Sequence, residues 1–336
     1  MSKYTDALAT VQNLSVVAME EASRYGQREA DIDHLFTALT VSEQVAGKVL
    51  RDLGITLDTA RDAVEALHEH NIASLGVTVE SPEPGPIVFH QTGGYDWSER
   101  AWAVLTLARE RGKGDAADVL RQLVGEPSGF IDELLHRLGT SSREVLARLD
   151  EAERSEEKAP ACAPRLGSLS RTQEVFVPAS IGDVWALVAD PKRLPEWEPW
   201  IGQVEDAAGS EVRTGASWVA AAVMQRADGT PLKVKPELRR LHVELHELVP
   251  PTTVEWRFAL PDAPGSNTRI IRIELAPAEG GTQAKVAFSW QNLQAARAPR
   301  LGLRAAVTIP FHRYIVWLQT NQVATGISRV FRGAQS

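Results

Sequence analysis

Apolar residues recur every three or four positions in the first 150 residues and every two positions after about residue 170. In the first stretch Leu8, Val11, Leu14, Ala18, Ala22 and Tyr25 mark one face of a helix, which Gly26 ends. Asp31 predicts an N-cap for a second helix with Ile32, Leu35, Phe36 and Leu39 on its core face. A third helix is expected over 43–53 and stops at Gly54, where glycine suits a left-handed C-cap; Thr56 then caps a fourth. The plan repeats about 85 residues on. Asp96 or Ser98 opens a helix through Trp102, Leu105 and Ala108. Asp115 caps the next, Gly139 ends another, and Ser141 with Glu144 spells a capping box for the last. Two stacked copies and about eight helices are expected over 1–150. A loop at 71–92, holding Pro82, Pro84 and Pro86, joins them.

Residues 151–170 are charged, then rich in Pro, Ala, Gly and Ser, with no apolar period. They predict a flexible interdomain linker. The second domain is expected over 171–333. Its strand signals are 171–177, 217–225, Leu241/Val243/Leu245, Val254/Trp256/Phe258, Ile271/Ile273/Leu275 and Val286/Phe288/Trp290, with a Gly280-Gly281 hairpin before the last. A short helix over 181–188 follows the first strand, and a long helix over 303–331 closes the chain. This order is an α+β plan in which a curved antiparallel sheet wraps the final helix.

Composition sharpens this picture in two places. Residues 1–150 hold 14 Lys and Arg against 24 Asp and Glu, whereas residues 171–336 hold 19 against 16. An acidic helical half repels phosphate backbones and argues against nucleic acid. No run of about 18 apolar residues offers a membrane span. A single cysteine, Cys162, and a polar N-terminus lead to an expected cytoplasmic location.

Candidate chemistry is sparse. No phosphate-binding G-x-x-x-x-G-K-[ST] loop occurs, so no ATPase is expected. His242, Glu244 and His246 share one strand face, but Leu241, Val243 and Leu245 claim the inward side, which leaves the three outside and predicts no metal site. His68-Glu69-His70 reads as a helix end. Seven of nine tryptophans lie in the C-terminal half. Trp200 and Trp218, with Tyr314, Trp317 and Asn321 on the last helix, are expected to line a ligand pocket. Glu198, Arg239 and His312 are acid–base candidates by residue type alone, so no catalytic residue is assigned and no cofactor is expected.

Two resemblances rest on these residues. The run Asp33-His34-Leu35-Phe36, with Val49-Leu50, Leu53-Gly54 and a diverged second copy, resembles the Clp N-terminal repeat domain of Hsp100 unfoldases. The resemblance implies docking of a protein or peptide, such as Clp machinery or its substrates, with Asp33 and His34 at the contact. In such domains a Thr-Glu dipeptide precedes the His-Leu pair and the acid reads a guanidinium. Here Ile32-Asp33 takes that place, and Ala117 stands there in the second copy. The C-terminal half is similar to the START-like superfamily called SRPBCC or polyketide cyclase/dehydrase. The carrying residues are the run from Val184 to Pro191, Trp197-Glu198-Pro199-Trp200, and Pro250-Pro251 before Trp256. It implies a helix-grip fold and a cavity for a hydrophobic small molecule or lipid.

The expectation is therefore a non-enzymatic binding protein, a ligand-responsive adaptor or decoy linked to Clp proteolysis. The alternative is a polyketide cyclase, aromatase or dehydratase carrying a Clp-type docking domain. A role as a stress or transcription cofactor rests on charge alone.

Overall fold

The computed structural model describes residues 3–76, 83–156, 170–205, 212–226, 228–291 and 302–333, with side chains at all of these except 3–9, 156 and 302–314. The chain forms two compact units that divide between Cys162 and Ala163.

The N-terminal unit contains α1 (Lys3–Arg24), β1 (Glu29–Ala30), α2 (Ile32–Thr40), α3 (Val45–Asp52) and α4 (Leu57–Ser74). The second copy follows with β2 (Asp96–Trp97), α5 (Glu99–Arg111), α6 (Ala116–Val124), α7 (Phe130–Arg137) and α8 (Ser142–Glu156). Local signals set most boundaries. Asp31, Thr56 and Asp115 each cap a helix with their side chains. Gly26, Gly54 and Gly139 take φ of 69°, 78° and 79°, the left-handed region where a Cβ is strained. Ser98 caps α5 by accepting from Ala101 N at 3.1 Å, whereas Asp96 lies in β2.

Three expectations need correction. The capping box of α8 is split: Ser141 Oγ accepts from Glu144 N, but the Glu144 carboxylate accepts from the Thr140 hydroxyl. Helix α4 extends to Ser74 inside the expected 71–92 loop. Helix α8 extends to Glu156 inside the expected 151–170 linker, because Val145, Leu149 and Ala152 keep helical spacing against the core. Residues 157–169 of that linker lie outside the described residues.

The copies interlock rather than stack. Within each copy α1 packs on α2, and α5 on α6, but α3 packs on α8 and α4 on α7. Polar ties cross the same boundary. The Asp31 carboxylate accepts from the Ser98 hydroxyl at 2.5 Å and from Arg100 Nε at 2.8 Å. Gln44 Oε1 accepts from Ala116 N, the first residue of α6, at 2.9 Å. Strands β1 and β2 pair in parallel, two residues each, which no sequence period of that length predicts.

The C-terminal unit contains β3 (Ser170–Val177), α9 (Ile181–Val188), α10 (Leu194–Trp197), β4 (Ile201–Val204), β5 (Ser217–Ala222), β6 (Arg240–Val249), β7 (Thr253–Ala259), β8 (Thr268–Ala278), β9 (Gly281–Gln291) and α11 (Gly302–Gly333). The seven strands form one antiparallel sheet in the order β3-β9-β8-β7-β6-β5-β4. Helix α11 packs against β3, β9 and α10, the helix-grip arrangement expected. The elements α10 and β4 have no signal of their own, since Pro195 and Pro199 break the apolar pattern on either side. Strand β5 stops at Ala222, three residues short of expectation.

Period two places Trp218, Val243, Phe258, Arg269 and Trp290 as neighbours in one lateral row across β5 to β9. The adjoining positions Leu245, Trp256, Ile271 and Phe288 form the next row, and all four are buried. On α11 the buried stripe is Val316, Gln319, Thr320, Val323, Ala324 and Ile327, at three- and four-residue spacing. The stripe approaches α10 most closely at Gly326, where an added Cβ would fall 2.6 Å from the Trp197 carbonyl oxygen.

That contact gives a test. Gly326→Ala should destabilise the C-terminal unit by about 1–3 kcal/mol, since α11 must shift off α10. Gly182→Ala in α9, where the nearest outside atom is 3.7 Å away, should be neutral or stabilise by up to about 1 kcal/mol. Urea unfolding of the full chain, followed by tryptophan fluorescence, reads this unit because it holds seven of the nine tryptophans.

Candidate functional site

The inner face of β8 reads Arg269, Ile271, Ile273 and Leu275, so the strand's own alternation turns a guanidinium inward. An unpaired charge there would cost heavily in desolvation. Glu198, fully buried just after α10, supplies the counter-charge: Arg269 Nη1 donates to its Oε1 at 2.9 Å. The other carboxylate oxygen accepts from Trp200 N at 3.1 Å. Arg269 also lies over the Phe258 ring at 5.1 Å and the Trp200 ring at 5.8 Å. One carboxylate thus ties the segment carrying Trp200 to the open end of the sheet.

A cavity of about 200 Å³ lies at that end. Its walls include Trp200, Leu241, Phe258, Leu260 and Trp290, with Ser266, Asn267, Arg269 and Gln319 as the polar groups. Deeper in, two tryptophans are buried against each other. Trp218 packs on Trp256 at 6.0 Å between ring centroids, and Trp256 Nε1 donates to the Val188 carbonyl at 2.9 Å.

The expected pocket residues separate on this frame. Trp200 is 51% exposed and lines the cavity. Trp218 is buried in the packed interior. Trp317 and Asn321 are half-buried, one position off the buried stripe of α11 and away from the described cavity walls. The side chains of Tyr314 and His312 lie outside the described residues. Arg239 is exposed and donates to the Val234 carbonyl. Of the expected pocket residues only Trp200 is among the described cavity walls, and two of the other wall residues carry a signal in the sequence. Arg269 was legible by extending the Ile271/Ile273/Leu275 alternation back one step, and Gln319 by taking Val316, Val323 and Ile327 as the inward face. On the outer sheet face Arg257 Nη2 lies 2.9 Å from His246 Nε2, while His242 is exposed, so the His242/Glu244/His246 set points away from the cavity as expected.

In the N-terminal unit Asp33 and His34 meet a partner the sequence did not indicate. His68, from α4, places Nε2 2.7 Å from Asp33 Oδ2. His34 Nδ1 accepts from Asp31 N at 3.2 Å, which completes the capping box of α2, and lies 2.8 Å from Asp33 Oδ1. Burial alone would raise the Asp33 carboxyl, but the hydrogen bonds from His34 and His68 outweigh it and hold Asp33 well below the usual carboxylate range. Burial alone would lower His34, and the Asp33 hydrogen bond and charge reverse this and raise it. These residues, with Glu21, Tyr25, Arg61, Val64 and Ile72, line a groove of about 230 Å³. Its floor is braced by Arg61, which donates to both Glu21 carboxylate oxygens at 2.9 and 2.8 Å. At the equivalent place in the second copy stand Ala117 and Glu153, beside a more polar hollow of about 310 Å³.

Sheet and gripping helix give the C-terminal unit a helix-grip arrangement, with an apolar cavity at one end of the sheet. Residues 168–310 match the family model described as polyketide cyclase / dehydrase and lipid transport. The match does not extend to the N-terminal unit. No curated protein matches the chain. Similar solved structures include a protein from Chromobacterium violaceum, 19% identical, covering 47% of this chain and 96% of that one with a TM-score of 0.32. A polyketide-cyclase-like protein from Corynebacterium glutamicum is 19% identical, covers 50% and 94%, and has a TM-score of 0.34. A protein from Rhodobacter sphaeroides is 15% identical, covers 51% and 97%, and has a TM-score of 0.33. No helix among the described residues is long and apolar enough to cross a membrane.

Two tests follow from the charges. Glu198→Ala leaves the partly buried Arg269 unpaired and should cost about 1–3 kcal/mol in urea unfolding; Glu198→Ala combined with Arg269→Leu should recover part of it. The raised His34 contributes stability that is complete below its unfolded value of about 6.5 and is lost as pH rises through its folded value. The lowered Asp33 contributes stability present above about 3.9 and lost as pH falls. Asp33→Asn should therefore lower the His34 titration midpoint in NMR spectra and remove the alkaline-side loss. An unchanged midpoint would break the assignment.

Proposed function

We propose that the chain is a non-enzymatic binding protein with two recognition units. The C-terminal unit holds a small apolar molecule, and the N-terminal unit docks a protein or peptide. The carrying observation is the aromatic cavity at the open end of the sheet, within the stretch matching a family described in terms of cyclisation, dehydration and lipid transport. Its described polar groups are a serine, an asparagine, a glutamine and an arginine committed to Glu198; none is a general base near neutral pH, which supports binding over turnover.

For the N-terminal unit our reading is a Clp N-terminal-type domain. Its support is the pair of four-helix copies, the Asp33-His34-Leu35-Phe36 run at the start of α2, and the groove above it. Glu21 and Asp33 are matched by Arg61 and by His34 and His68, so the groove offers Glu65 beside apolar Tyr25, Val64 and Ile72, which suits a largely apolar peptide segment with a basic group. Joined in one chain, the two units support a ligand-responsive adaptor or a decoy for Clp-directed clients.

Native mass spectrometry of the freshly purified full chain tests the first half. A bound apolar species, retained by the native chain and released on unfolding, is expected. A bare mass that also fails to take up any added aromatic compound would sink it. For the second half, an immobilised chain should retain Clp components or basic peptides, and lose them on Asp33→Ala; retention of neither counts against the docking role.

A further inference from the structure

We propose that the C-terminal cavity selects small, flat, electrically neutral ligands bearing a hydrogen-bonding group, and that Gln319 reads that group. The inference rests on the binding reading above and deepens it.

Size comes first. At about 200 Å³ the cavity falls below the roughly 300–1,000 Å³ typical of drug-sized sites, so it suits a molecule of one or two rings. Shape follows from the walls, since Trp200, Phe258 and Trp290 present flat aromatic surface.

Charge is decided by the Arg269–Glu198 pair. Arg269 is the only charged side chain among the described wall residues, and its charge is already matched by the wholly buried Glu198 at 2.9 Å. Arg269 keeps further N–H groups, but its charge is already matched, so an anionic ligand gains little Coulomb attraction there and comes close to the buried Glu198 carboxylate. A cationic ligand would meet the guanidinium directly. A neutral molecule meets neither penalty.

The polar requirement comes from α11. Gln319 lines the cavity and is 8% exposed, yet its Oε1 has no hydrogen-bond partner among the described residues. Buried amides are ordinarily satisfied, and one that is not gains from any ligand group placed against it. The argument holds whichever way the amide is turned, because a primary amide offers one donor and one acceptor end. A ligand carrying an amide, lactam or phenol answers it; a plain hydrocarbon does not.

Isothermal titration calorimetry at pH 7 with the full chain and three probes of one shape tests this: 2-naphthamide, 2-naphthoate and 2-methylnaphthalene. The amide should bind about 10-fold or more tighter than the carboxylate, and about 2- to 10-fold tighter than the hydrocarbon. Gln319→Met should bring amide and hydrocarbon to within about 2-fold of each other without weakening the hydrocarbon. Gln319→Leu repeats the test should the methionine variant fail to fold, and the wild-type probe series needs no variant. Equal or tighter binding of the carboxylate, or an amide preference that survives both substitutions, overturns the selectivity while leaving the cavity a binding site. Failure of all three probes to bind overturns the binding reading as well.

Discussion

The contact between Glu198 and Arg269 decides how the C-terminal unit is organised. An arginine on the inner face of a sheet is tolerable only with a partner, and Glu198 can reach it only if the short segment after α10 is drawn over the end of β8. Such a pair adds little net stability, because two charges leave water to form it. What it supplies is position. Trp197, Glu198, Pro199 and Trp200 are consecutive, and they touch three different things: the Trp197 carbonyl meets α11 at Gly326, Glu198 holds Arg269, and Trp200 walls the cavity. Helix, sheet and site are fixed to one another through four residues.

The same geometry explains why the cavity is small. The row behind it holds Leu245, Trp256, Ile271 and Phe288, all four buried in one apolar cluster. The described cavity lies where the sheet's apolar rows end and a charged residue replaces an aliphatic one. The polar and aromatic parts of the wall are therefore one structural event: the row Trp218, Val243, Phe258, Arg269, Trp290 changes from filling the interior to lining an opening.

Much of this architecture was legible in the sequence because it depends on local periods and caps. Strands β6 to β9 and helices α2, α6 and α9 follow from spacing, with Asp31 and Asp115 at the starts of the first two helices. The site was less legible, for two reasons. Arg269 and Gln319 each break an apolar stripe, so pattern reading drops them from the very face to which the pattern assigns them. The partners of Asp33 are worse placed: His68 lies 35 residues away on α4, and no local rule brings α4 across α2. The relation between the repeats was hidden for the same reason, since similarity shows that two copies exist but not which helices of one lie against the other.

That relation has a consequence during synthesis. With α3 resting on α8 and α4 on α7, neither copy of the N-terminal unit possesses a complete core. The first copy leaves the ribosome with α3 and α4 able to pack on α2, but with their sides toward α8 and α7 uncovered. At about 5–20 residues per second it waits several seconds for the second copy to arrive. The duplication has thus made a single cooperative body out of two similar halves, in which each half is the late-arriving cover of the other.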